Sequence, residues 1–159
     1  MAKARTIPGL AEAESFRAAA AAAVEVRAEE VFEHREGVLD TDDIERVHDM
    51  RVATRRLRAA MEIFADCFPR GEHKRLLKEV KGLADALGER RDRDVAIADL
   101  ERAVAVVTAS ERPGLRHLQD ELRAEQARAN VELAQMLDEV DRGGLRERLS
   151  AHAVEARSA

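Results

Sequence analysis

The stretch HDMRVATRRLRAAM, residues 48–61, places one histidine and four arginines within fourteen positions. The chain around it is acidic, with a formal net charge of -5. At the angular step of an α-helix, His48, Arg51, Arg55 and Arg58 fall within an arc of roughly 80°. Leu57, Ala60, Met61 and Phe64 lie nearly opposite, on the side a helix would turn toward a core. Neither Arg51 nor Arg55 has an acid four residues away, the spacing that usually neutralises a solvated helix face. Guanidinium groups left open in this way suit phosphate oxygens, which they bind by paired, charge-assisted hydrogen bonds. Arg56 falls off the stripe, beside Glu45 and Asp49, as an ion-pair partner would. Glu62 and Asp66 close the stripe at its far end. The residues alone leave two readings open, a solvated face and an anion-binding surface.

A second line of positive charge, Lys74, Lys78 and Lys81, lies opposite the leucines of the next helical segment. Lys78 and Lys81 would extend the basic surface onto a neighbouring helix, unless Asp85 pairs with Lys81 one turn on. His48 is either a neutral imidazole bonded within a bundle or a cation beside an anion. A polyanion favours the protonated form, so in the second case binding strengthens as pH falls. Glu45 and His48 form an E-x-x-H pair, but di-iron chemistry in a bundle requires a second pair, and the chain has none. No nucleophile with a paired base, glycine-rich phosphate loop or metal-ligand cluster accompanies them. The expectation is a non-enzyme with no cofactor and no metal, in which Glu45 serves as a capping residue.

Elements able to carry these residues are helical throughout. The 159 residues suffice for one domain with a real core. They are 45% hydrophobic but only 3% aromatic, so Ala, Leu and Val must build that core. Periodicity predicts helices over 10–36, from Asp42 and Glu45 in capping-box spacing to about Phe68, over 71–87 with Gly88 as C-cap, from Asp92 as N-cap to about 110, and over 113–141. A charged last helix, 145–157, would fray or pack on a partner. No period-2 pattern suggests a strand. The expected fold is all-α, an antiparallel bundle of about four main helices plus a shorter terminal one, forming a single domain over 1–159. Cys67 is alone and sits among apolar residues, which suits a small core residue and no disulfide. Without a signal-like or membrane-length apolar run, the expected location is cytoplasmic, with no membrane association.

Two stretches together resemble the CHAD family, the conserved-histidine α-helical domain. VHDMRVATRRLRAAMEIF, 47–64, is similar to the family's histidine helix, with arginine at +3, +7, +8 and +10 from the histidine. LADALGERRDRDVAI, 83–97, is similar to its second signature. The match covers about residues 40–100 well and the flanks loosely. The resemblance implies a helical domain that binds inorganic polyphosphate through a basic surface and associates with polyphosphate granules. Carried onto this chain, the contacts would be His48, Arg51, Arg55, Arg56 and Arg58, with Lys78 and Lys81 from the next helix. Arg91, Asp92 and Asp94 match the second signature and would be structural, the carboxylates capping a helix and holding an arginine.

Family members commonly contain two such four-helix units. Here the later histidine, His117, is followed at the corresponding offsets by Asp120, Ala124 and Ala127, so the chain resembles a single unit. A homodimer would restore the double arrangement and give the last helix a place to pack. Nucleic acid is the second ligand class, disfavoured by overall acidity and by the lack of Trp and Tyr for base stacking. A helical protein-interaction module with no polyanion ligand is the third reading.

Overall fold

The computed structural model describes residues 3–158, so the outermost positions of the expected 1–159 domain lie outside it. Ser15 starts the first helix, its Oγ accepting from the Ala18 N–H at 3.1 Å, and α1 runs Phe16–Glu33. The predicted start near Leu10 is therefore early by nearly two turns; Leu10 is 44% exposed and lies ahead of the cap. Alanine makes α1 a packing element. Ala20, Ala21, Ala23 and Ala28 are buried with Val24 and Val31, and their small side chains admit close neighbours.

The next helices are α2, Ile44–Ile63, and α3, Arg70–Val106, separated by a short 3-10 turn over Ala65–Cys67. The link from α1 turns at Gly37, whose φ of +70 would strain any residue with a Cβ and over which the Arg46 side chain lies. The expected capping box at Asp42 and Glu45 does not form. Asp43 is the N-cap position and makes no side-chain cap bond, because its carboxylate takes Arg46 Nε at 3.0 Å. Glu45 reaches across to Arg91 instead.

The largest departure from expectation is α3, which is continuous for 37 residues. Gly88 does not cap a helix and Asp92 does not start one; both lie inside α3, and Asp92 is exposed. The core-facing row continues through this region as Leu83, Leu87, Arg90, Asp94 and Ile97. Arg90 and Asp94 are fully enclosed and paired at 2.9 Å, one turn apart, so two charged residues stand where the apolar pattern would. Asp94 also accepts from Gln126 Nε2 at 2.6 Å, and Arg90 donates to Asn130. The charged run ERRDRD is a helix with one polar pair turned inward.

The remaining helices are α4, Arg112–Arg142, and α5, Leu145–Ser158. Among the described residues, all five helices run antiparallel to their lateral neighbours. Phe16 meets Phe64, Glu62 meets Lys81, Glu101 meets Arg123, and Glu29 meets Arg146. α1 lies between α2 and α5, and α3 between α2 and α4. The charged last helix is neither frayed nor left for a partner. Leu145, Leu149, His152, Ala153 and Ala156 are buried, and Arg146 and Arg157 tie its rim to Glu29 and Glu25 of α1. No described helix is long and apolar enough to cross a membrane.

Candidate anion-binding surface

α2 faces the core with Val47, Met50, Ala53, Thr54, Leu57 and Met61, all buried. That placement turns the opposite side outward and fixes the orientation of the basic stripe. Arg55 is exposed, and His48, Arg51 and Arg58 are half-buried on the same side. Ten residues separate His48 from Arg58, so the stripe extends about 15 Å along the helix.

Two contacts seat this helix against α3. Arg91 donates to the Ile44 carbonyl at 3.0 Å and pairs with Glu45 at 3.3 Å, clamping the first turn of α2. Farther along, Gly88 faces Arg51; an added Cβ there would lie 3.8 Å from Arg51 Nε. Residues of the second stretch make two different contacts. Arg91 holds α2, and Asp94 holds the buried Arg90, which also donates to the Asp40 carbonyl at 3.3 Å ahead of α2. Asp92 takes no part as a cap.

The basic residues of the stripe are not equivalent. Among the described residues, His48, Arg51 and Arg55 have no carboxylate partner. Arg58 is paired, its Nε bonding Glu62 at 3.1 Å one turn away. The same Glu62 oxygen pairs with Lys81 Nζ of α3 at 3.1 Å. These two cations hold the Glu62 carboxyl below the usual carboxylate range, Lys81 contributing most and Arg58 next. Lys81 therefore meets the end of the stripe through Glu62 and does not pair with Asp85, the alternative its spacing had left open. Lys78 is placed differently. It borders a groove with Arg75 and Gly82 of α3 and Met136 and Val140 of α4, away from α2. Arg56 is half-buried and already engaged, as is Asp49.

Several buried polar residues were not singled out by sequence reasoning. Arg90 was hidden within its charged run. His73 and His152 were hidden because isolated histidines carry no periodic signal. They meet between α3 and α5, with His73 Nδ1 and His152 Nε2 3.0 Å apart. The Met61 carbonyl, 2.8 Å from His73 Nε2, can only accept, so His73 donates there and receives the His152 N–H. Phe68 stacks on both rings, at centroid distances of 4.8 and 4.6 Å. Glu62 did carry a readable signal, its i+4 spacing from Arg58. Cys67 is buried and unpaired, as its apolar context suggests.

The described residues hold no group of three or more His, Cys, Asp or Glu side chains able to bind a metal ion. What the surface offers chemically is an open row of basic side chains able to donate hydrogen bonds. No curated protein and no solved structure matches the chain. The CHAD domain family model matches residues 22–159, from the first turns of α1 through α5. By that match, spanning both stretches that carry the motifs, the chain belongs to the CHAD domain family.

Proposed function

We propose that this protein binds inorganic polyphosphate along the outer face of α2 and acts as a binder, not a catalyst. The observation that carries the reading is the row His48, Arg51 and Arg55, which faces outward with no carboxylate partner among the described residues. Arg58 and Lys81 continue the row across the junction with α3. A flexible chain carrying a charge on every phosphate can follow these donors, and it releases counterions as it does so. Bound in this way, the protein would associate with polyphosphate granules in cells that make them. Lys78, bordering the α3–α4 groove, lies at the periphery of such a site.

Arg51→Ala/Arg55→Ala tests the assignment, with circular dichroism to verify the fold. Loss of two charge-assisted contacts should weaken polyphosphate binding by about tenfold or more. Duplex DNA at equal phosphate concentration should displace little polyphosphate, because the acidic remainder of the molecule repels a stiff, wide polyanion. Efficient displacement by DNA would favour a nucleic-acid-binding protein. Unchanged binding by the double variant would make the row a solvated face.

The protein is also proposed to act as a homodimer. α3 and α4 are about 55 and 46 Å long, against about 30 Å for α2, so their linked ends project as a two-helix arm. Buried residues stop at Ile97 on α3 and begin at Gln126 on α4. Beyond them the arm exposes Val106 and Leu118. A second copy packed arm to arm would cover these residues and bring a second basic helix into the assembly. The last helix needs no second copy to cover it, since α5 packs on α1 of its own chain.

A further inference from the structure

Glu62 sits where no anion-binding surface needs a carboxylate. It is at the end of the stripe, and one of its oxygens lies 3.1 Å from both Arg58 Nε and Lys81 Nζ. Both cations are partly exposed, so the pair is not a core contact. Two donors from different helices converge on one oxygen, which is the arrangement a phosphate oxygen would adopt between them. Ile63, the next residue, is 71% exposed, so this end of α2 is open to solvent.

We infer that Glu62 is a built-in competitor, occupying a phosphate position between Arg58 and Lys81 that a polyphosphate chain must take over. The inference rests on the polyphosphate reading of the α2 surface. His48, Arg51 and Arg55 are open to the ligand at once, whereas Arg58 and Lys81 become available only when the carboxylate swings away. Lys81 and Arg58 lower the Glu62 pKa from the ordinary carboxylate value, so the carboxylate stays charged and competes at neutral pH. An exposed ion pair is weakly held, which lets a polyanion displace it. The consequence is selectivity: an anion must offer enough negative charge at this position to outcompete a tethered carboxylate.

The test compares Glu62→Gln with Asp66→Asn in titrations with long-chain polyphosphate. Both remove one negative charge near the same helix end, but among the described residues Asp66 holds no cation. Glu62→Gln should tighten binding by about threefold or more and steepen its salt dependence, since Arg58 and Lys81, no longer neutralised by the carboxylate, then release their own counterions when phosphate binds. Asp66→Asn should give a smaller gain with an unchanged salt slope. In an Arg58→Ala/Lys81→Ala background, Glu62→Gln should lose its advantage over Asp66→Asn. Equal gains from the two single variants, or a gain that persists without Arg58 and Lys81, would overturn the inference while leaving polyphosphate binding intact. Failure of the unaltered protein to bind polyphosphate would instead remove the reading on which the inference rests.

Discussion

His48, Arg51, Arg55 and Arg58 of the HDMRVATRRLR stretch share one helix face, yet their neighbours divide them. Arg51 and Arg55 face outward with no acid one turn away, whereas Arg58 has Glu62 there and bonds it. This distinction was legible from spacing alone, as was the separation of Arg56 from the stripe. The engagement of Lys81 with Glu62 was not legible, because it depends on the rotation of α3 against α2. Inside the protein, Arg90 and Asp94 show a different use of charge. Both are fully enclosed, with Gln126 and Asn130 supplying further hydrogen bonds. Removing one member leaves the other charge buried without its partner. Asp94→Ala should therefore destabilise the fold by about 3–5 kcal/mol, measured by chemical denaturation. A loss below about 1 kcal/mol would show that water reaches Arg90 and that the pair is not a buried unit.

At the scale of helices, the sequence made the existence and type of most elements readable, and α4 and α5 begin and end within a residue of expectation. α3 was misread because a glycine and six charged residues resemble a break, whereas one buried salt bridge lets the helix run through. Gly88 is absent from the glycines with positive φ, which are Gly9, Gly37 and Gly144. Its position inside a helix predicts that Gly88→Ala raises stability by about 0.5–1 kcal/mol, with the new methyl in ordinary contact with Arg51. Destabilisation instead would indicate a helix end at this point. α5 was read as peripheral because its outer face is so charged, yet its inner face is core. His152 ties it to α3, and its pKa is lowered from the ordinary imidazole value of 6.5, first by burial and second by neighbouring His73. Glu155 and Glu72 oppose that shift. With the folded-state value depressed, the unfolded chain binds the extra proton first. Stability is therefore full above pH 6.5 and declines as pH falls through and below that value. Thermal midpoints measured across this window should fall with pH, and His152→Leu should flatten the trend. A slope unchanged in the variant would assign the pH response to other groups.

The whole molecule combines an acidic chain with one outward basic row and a projecting two-helix arm. Net charge and composition fixed neither feature; the row came from angular spacing, and the arm depends on α3 being continuous. Because the arm carries exposed Val106 and Leu118, light scattering should return twice the chain mass of 17.7 kDa. Leu118→Glu should reduce it to the single-chain value if the arms pair. A monomer for the unaltered protein would show that one α2 surface acts alone. The family match gives the row its context, and the row gives the molecule its proposed work. The measurement that tests this most directly is a titration of the unaltered protein with long-chain polyphosphate at two salt concentrations. Engagement of three to five cations predicts that a fourfold rise in salt weakens binding by roughly 20- to 130-fold, taking the single-strand slope of about -0.7 per phosphate. Absence of binding at the lower salt, or binding indifferent to salt, would contradict the account.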